Sequence, residues 1–366
     1  MSALIHEPGH ILIIRLSSLG DITHCLPVSY NLKKRYPKAR VAWLVREKYR
    51  ELLEMDSCLD EIITIKNLGS KKLLPRIREI FRIVNVIRNL KFDVVLDLHC
   101  ALITNIIALF SDSPVKLGID KRNELGLKWL KYCPLPKNKK THRINAYLSI
   151  LNLMGINNYE IEYSLRIPPL DKKKAINLLE EYSCSPRETI IALHPGASRK
   201  IKEWDIERFA KLSYLLAIKY GSRVIIISGP KEKNFGQNSI AKLFNSKAIF
   251  IAHYNIKELS ALLEKCDLFI GNDSGPLHLA AALGLPTVSI FGPSDHLISG
   301  PYGEKHKVVR KDVFCNPCYK NFNVEFNCKN NNRNCLKSLN VEDVLKETEP
   351  MLIEIINSKT RKDNTR

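Results

Sequence analysis

Residues 267–295 read DLFIGNDSGPLHLAAALGLPTVSIFGPSD: a strand, a tight turn, a helix and a second strand in one run. Asp267–Gly271 is a short apolar stretch closing on glycine, which suits a buried strand of a parallel sheet. Asn272, Asp273, Ser274 and Gly275 then supply capping side chains and backbone freedom, and Pro276 sits where a first helical turn tolerates proline. The expected helix, Leu277–Leu283, stops at Gly284. Pro286 blocks its continuation, and Thr287–Phe291 returns to the sheet. A helix that starts at the carboxyl end of a parallel strand presents unpaired N–H groups there. Such a start is an anion site, and a diphosphate is the usual anion. The same residues read equally well as an ordinary capped strand–helix turn, so this stretch alone leaves both readings open.

The rest of the chain sets the frame. Its 366 residues allow two domains of ordinary size, and 45% apolar and 26% charged residues are globular values. No run of about 20 apolar residues occurs, so no membrane span is expected. The opening MSALIHEPGH lacks a charged leader and a small-residue cleavage site, which points to the cytosol. Lysine plus arginine exceed aspartate plus glutamate by 57 − 38 = 19. That excess favours polyanionic partners such as nucleic acid, anionic lipid or phosphorylated substrates. No nucleic-acid-binding signature accompanies it, so no nucleic-acid partner is expected. A lysine-rich, solvated surface is the plainer cause of part of the charge.

From the N-terminus, His10–Leu16 reads as a buried strand ending in Ser17-Ser18-Leu19-Gly20-Asp21. A nicotinamide or flavin site would place G-x-G-x-x-G here, and the chain has no G-x-G anywhere. Asp21 reads either as a helix cap or as a carboxylate at the mouth of a crevice, where a general base belongs. Strands at Arg40–Val45, Glu61–Ile65 and Asp93–Leu98 alternate with helical patterns, which means a doubly wound parallel sheet. Asp97 and His99 end the last of these on the same sheet edge; pairing with a backbone donor is their plainer use. The helix expected at Lys72–Lys91 carries Leu73, Ile77, Ile80, Phe81, Val84 and Ile87 on one stripe with its arginines largely outside. A core-facing helix is the favoured reading, with membrane contact the lesser one.

The pattern breaks at Ile167-Pro168-Pro169, where a polar segment, 168–187, reads as a linker between domains 1–167 and 188–345. The alternation then restarts: strand Thr189–Leu193, helix Asp205–Tyr220, strand Arg223–Ser228, a helix near Lys231–Phe244, strand Ala248–Ala252 and helix Ile256–Leu263. The loop His194–Trp204, sequence HPGASRKIKEW, follows a strand directly and so shares a sheet edge with Asp273. Its Ser198, Arg199, Lys200 and Lys202 can bring hydroxyl and cationic donors to phosphate oxygens. A basic surface loop is the alternative, and the shared edge favours the phosphate reading. Cys315-x2-Cys318-x9-Cys328-x6-Cys335 suggests a structural Zn²⁺ site more than disulfides, and free thiols or a redox-labile cluster are favoured over the metal. A last helix is expected at 341–358, and 359–366 reads as a frayed basic tail.

Taken together, ILIIRLSSLGDITHCLP, DVVLDLH, LHPGASRKIKEW, SGPKE and the 267–295 stretch resemble the ADP-heptose:lipopolysaccharide heptosyltransferases, glycosyltransferase family 9. The pieces run in the family's order through both domains to about residue 300. The resemblance implies an α/β GT-B fold: two Rossmann-like, doubly wound parallel-sheet domains facing a central cleft, acceptor on the first and nucleotide sugar on the second. It implies that the 341–358 helix packs back on the first domain. Asp21 would then be the general base, with Ser17, Ser18, Asp97 and His99 on the acceptor side. Lys202 would hold the donor diphosphate next to Ser198, Asp273, Ser274 and Gly275. Glu232 would contact the ribose, Tyr254 would lie by the adenine, and His278 would support the turn. The expected partners are ADP-heptose, a lipid A–core oligosaccharide acceptor and the anionic inner face of the membrane. No cofactor is expected for catalysis. A transferase or epimerase using another nucleotide sugar, or a non-catalytic nucleotide- or membrane-binding protein, are the readings left beside it.

Overall fold

The computed structural model describes residues 7–66, 68, 73–119, 131–133, 141–185, 187–229, 248–252, 254–318, 328 and 332–364. The chain divides into two units, Met1–Arg166 and Ile167–Arg366. The first runs β1 (His10–Ile14), α1 (Leu19–Arg35), β2 (Arg40–Arg46), α2 (Arg50–Glu54), β3 (Glu61–Ile65), α3 (Leu73–Leu90), β4 (Val94–Asp97), α4 (Leu102–Leu109), β5 (Val115–Ile119), β6 (Lys131–Cys133) and α5 (Arg143–Leu148). The second runs α6 (Pro169–Glu181), β7 (Ile190–His194), α7 (Ile206–Tyr220), β8 (Arg223–Ser228), β9 (Ile249–Ala252), α8 (Ile256–Glu264), β10 (Leu268–Asn272), α9 (Gly275–Ala282), β11 (Thr287–Ile290), α10 (His296–Ser299), β12 (His306–Val309), α11 (Asn334–Lys337) and α12 (Val341–Asn364).

Each unit holds one parallel six-stranded sheet, ordered β3-β2-β1-β4-β5-β6 in the first and β12-β11-β10-β7-β8-β9 in the second. These are two copies of one winding. In both, the strand order reverses where the unit's first strand lies beside its fourth, at β1/β4 and at β7/β10. Helices connecting the two halves of such a sheet leave on opposite faces at that point, which opens a crevice outside the carboxyl ends of the strands. The central strands are apolar throughout because both faces are covered: Ile11–Ile14 of β1 and Ile191–Leu193 of β7 are fully buried.

Gly271 of β10 is opposite His194 of β7, and a Cβ there would stand 2.7 Å from the His194 carbonyl oxygen. Glycine is therefore what lets the two switch-point strands pair this closely.

Four expectations change. Residues 168–187 are not a bare linker: they carry α6, whose Lys172 and Lys174 pair with Glu264 and Glu258 of α8 at 2.7 Å each. Pro169 is pre-set for a first helical turn, and those pairs use the charges that made the segment look unstructured. The tail 359–366 is not frayed at its start, because α12 runs on to Asn364 and Lys359 Nζ bonds Asp267 Oδ2 at 2.6 Å and the Glu188 carbonyl at 2.8 Å. Within its own unit, α12 packs on α7, β11 and β12, burying Val344 and Leu352.

The third change concerns α3, whose inward residues are Glu79, Ile83, Val84 and Ile87, whereas Leu73, Ile77 and Phe81 face outward. Glu79 accepts from the Lys66 N–H at 2.7 Å and from Arg82 at 2.7 and 2.8 Å. Those bonds let a carboxylate sit on the buried side of the helix, and the expected stripe splits along its length: Val84 and Ile87 are buried, while the first turns project outward. The fourth is α9, which starts two residues earlier than expected, with Ser274 as its N-cap.

Asp56 yields a pH prediction. Burial pushes its carboxyl up to about 6, against the opposing bonds from Ser29 Oγ (2.5 Å) and the Cys58 N–H (3.0 Å). A carboxyl that holds its proton better in the fold stabilises fully below its unfolded pKa of about 4, and that contribution is lost as pH rises through 6. Asp56→Asn cannot ionise. Between pH 4 and pH 8 it should gain on the parent by on the order of 3 kcal/mol, read from urea midpoints. Parallel stability–pH curves would show that Asp56 titrates normally.

Candidate functional site

Two constellations form, one at each switch point. In the first unit, Asp21 stands at the third position of α1. It accepts from Ser18 N–H at 3.2 Å and from Ser18 Oγ at 2.9 Å. Asp21 thus closes the capping box of α1 from inside the helix, with Ser18 as the N-cap. It also forms ion pairs with Arg15 Nη2 at 3.0 Å and with Arg143 Nη1 of α5.

Arg15 is buried. It directs Nη1 to the Leu98 carbonyl at 2.8 Å and lies over the Tyr147 ring at 5.2 Å. Burial favours a neutral guanidine, but Tyr147 and Asp21 keep Arg15 protonated. Burial likewise favours a protonated Asp21, yet Arg15, Arg143 and His24 hold its carboxyl well below the usual carboxylate range. The side chain keeps 16% exposure, so an ionised carboxylate of fixed direction meets solvent at this point. Beside it the buried Tyr147 hydroxyl makes no hydrogen bond, although a buried hydroxyl ordinarily finds one.

Pairing of Ile14 with Asp97 brings Ser17, Ser18 and Asp21 to the same sheet edge as Asp97 and His99. Asp97 is fully buried, and its Oδ1 accepts from the His99 and Cys100 N–H groups at 2.9 and 2.8 Å. It shapes the turn after β4, and His99 is half-buried on that turn.

In the second unit, β7 leads into the Lys202 loop and β10 into α9. Lys202 Nζ meets Asp273 Oδ2 at 2.6 Å, and His278 Nε2 lies 3.4 Å from Asp273 Oδ1. Burial works against the Asp273 charge, but Lys202 and His278 overcome it and hold the carboxyl far below its ordinary range. Asn272 ties the two loops together, with Nδ2 donating to the Pro195 carbonyl at 2.6 Å and Oδ1 accepting from the Trp204 N–H at 3.1 Å. Trp204 anchors the loop: its ring is buried against Phe209 and its Nε1 donates to the Leu339 carbonyl at 2.8 Å. Arg333 Nη1 reaches the Lys200 and Glu203 carbonyls at 3.1 and 3.3 Å.

An ammonium has three N–H donors. Asp273 orients Lys202 through one of them and so fixes the ammonium beside the start of α9. Ser274 Oγ, buried at that start, makes no hydrogen bond. Gly275 follows it as the first helical residue. Ser198 is exposed two residues before the short turn Lys200–Lys202. Tyr254 precedes Asn255, which caps α8. Glu232 lies outside the described residues.

Cys315, Cys318 and Cys328 are half-buried, Cys335 is buried, and none of the four is in a disulfide. Burial, with the neighbouring Cys318, Cys315 and Cys328, pushes the Cys335 thiol up to about 11. Among the described residues no group of three or more His, Cys, Asp or Glu side chains is placed to hold a metal ion.

Sequence reasoning missed Arg15, Arg143 and Arg333, and read Asn272 as a capping residue rather than as the tie between the two loops. For Arg15 a signal was present, since a charged residue directly after the buried run ILII needs a buried partner.

An ionised carboxylate at one switch point and a lysine beside a helix start at the other are kinds of group that a glycosyltransferase acting on a nucleotide sugar can use. Comparison with known proteins makes the class specific. The family model Glycosyltransferase family 9 (heptosyltransferase) matches residues 80–328, more than half of the chain. The chain is 25% identical over 312 residues to the lipopolysaccharide core heptosyltransferase OpsX of Haemophilus influenzae, covering 84% of this chain and 86% of that one. The fold is similar to that of the glycosyl transferase family 9 protein from Veillonella parvula, with a TM-score of 0.83 at 23% identity over 96% of this chain and 100% of that one. It is similar also to E. coli heptosyltransferase WaaC with ADP, with a TM-score of 0.72 at 18% identity over 93% and 99%. The chain belongs to glycosyltransferase family 9, the heptosyltransferases, and is a glycosyltransferase.

Proposed function

We propose that this protein transfers a heptose from ADP-heptose to a lipid-linked inner-core acceptor of lipopolysaccharide, inverting the anomeric carbon in one displacement. The observation that carries the reading is the second switch point, where Lys202, oriented by Asp273, stands beside the start of α9 and the unsatisfied Ser274 hydroxyl. These groups suit a diphosphate: Lys202 and the α9 amides take up the charge that ADP gains on leaving. Gly275 lets the backbone approach, and His278 steadies Asp273. Ser198, Glu232 and Tyr254 complete the donor side in this reading. The related OpsX is named for the lipopolysaccharide core, and WaaC was solved with ADP.

On the acceptor side Asp21 removes the proton from the attacking hydroxyl, with Ser17, Ser18, Asp97 and His99 around it. Its low pKa keeps it ionised at every working pH, at the expense of basicity. Arg143, at 28% exposure against 5% for Arg15, is the cation an acidic acceptor group can draw toward itself, which would leave Asp21 more basic. The acceptor's lipid places the enzyme at the inner face of the membrane. No described helix is long and apolar enough to cross it.

Two measurements check this. ADP should raise the melting temperature and UDP should not, and mixing ADP-heptose with a core acceptor should add one heptose to the acceptor mass. Stabilisation by UDP instead, with ADP-heptose left intact, would sink the donor assignment. Arg143→Gln should move the acid limb of the pH–rate profile up by about 1–3 units, because one of the groups holding the Asp21 pKa down is gone. An unmoved acid limb would separate Arg143 from the base.

A further inference from the structure

We propose that the outward face of α3 is the surface by which this protein lies on an anionic lipid bilayer. Leu73 is 65% exposed, Leu74 80%, Ile77 38% and Phe81 66%. At about 100° per residue these four fall on one strip of about 100° across the first turns of the helix. Single exposed apolar side chains are ordinary, whereas a contiguous strip of large ones marks a contact surface. Arg76 borders the strip on one side and Arg78 and Arg82 on the other, all exposed. The only acid in α3 is Glu79, which is turned inward and occupied by Arg82 and the Lys66 N–H.

The outward face is thus apolar with a purely cationic border. That is the make-up of a helix lying in a headgroup layer, its apolar side chains among the acyl chains and its guanidiniums on lipid phosphates. The later turns are packed into the core of the first unit through Ile83, Val84 and Ile87, so the first turns are presented as a rigid edge. The excess of 19 positive charges over the chain favours the same partner. A second copy of this chain would set the arginine borders against one another, which disfavours self-association through this face.

The inference builds on the lipid-linked acceptor proposed above, but it is tested without any acceptor. The full chain is sedimented with vesicles of mixed phosphatidylglycerol and phosphatidylcholine, and with vesicles of phosphatidylcholine alone. Binding should favour the mixed vesicles and weaken with salt. Arg76→Gln with Arg78→Gln should weaken it about 25-fold, taking about fivefold per arginine at the surface. Leu74→Asp with Phe81→Asp should weaken it roughly tenfold or more. All four positions are exposed, so the variants should melt like the parent.

Transfer to a water-soluble acceptor should be unchanged in both variants. Failure of transfer by the parent alongside vesicle binding that depends on α3 would remove the heptosyl reading and leave the surface standing. Vesicle binding equal in parent and variants, no preference for anionic lipid, or a parent dimer that Leu74→Asp with Phe81→Asp turns into monomers would each overturn the proposal.

Discussion

Asp21→Asn should lower transfer by about 10²–10⁴-fold while ADP binds as before. The amide is almost the same shape and retains an acceptor for the Ser18 N–H, so helix α1 keeps its cap. What it loses is the place for the proton of the attacking hydroxyl. The substitution also leaves Arg15 and Arg143 without their shared anion. Arg15, buried, bears the greater cost of that loss. Stability should therefore fall together with activity, and the two effects need separate readings. Asp21→Glu tests this: it keeps the charge but displaces it. Transfer should stay low in Asp21→Glu even where stability recovers, because a base must be placed to within hydrogen-bond reach. Near-parental transfer by Asp21→Asn would reduce Asp21 to a structural ion-pair partner.

Lys202→Ala carries the second large effect, and it too has two parts. Asp273 has 7% of its side chain exposed, so removing the ammonium leaves a carboxylate with little water beside His278. Breaking a pair this deeply buried costs about 3 kcal/mol. Transfer should drop by about 10²–10³-fold through loss of a charged donor to the leaving diphosphate. Combining Lys202→Ala with Asp273→Asn separates the parts, since the neutral amide no longer needs a cation. The double variant should regain most of the stability and none of the transfer. Recovery of both would mean that Lys202 acts only as a counter-ion to Asp273.

Much of the second unit's site is legible along the chain because it is local. In 267–295 the strand, the caps, the helix and the return strand are consecutive, and each is announced by a residue with one strong physical preference. The winding was legible for a similar reason, since alternation of buried strands with helices admits few topologies. β5 and β6 were not, because VKLGI is broken by Lys116 and Gly118 and Lys131–Cys133 is too short to carry a period. The setting of Asp21 was hidden by distance, since Arg143 joins it from 122 positions away. The split of the α3 stripe was hidden as well. Its residues share one side of the helix, yet Val84 and Ile87 are buried while Leu73, Ile77 and Phe81 are exposed, and periodicity does not report how far along a helix its cover reaches. Segment 168–187 was misread because its lysines looked solvated, whereas two of them meet acids of α8.

The central claim is that transfer is one displacement at the anomeric carbon of the donor, with Asp21 as the proposed base and Lys202 as the proposed partner of the leaving diphosphate. The anomeric configuration of the product tests it most directly, by proton NMR of the sugar added to a core acceptor from ADP-heptose of defined configuration. The new linkage should have the configuration opposite to that of the donor. Retention, with transfer otherwise proceeding, would require two displacements and would contradict the role given to Asp21.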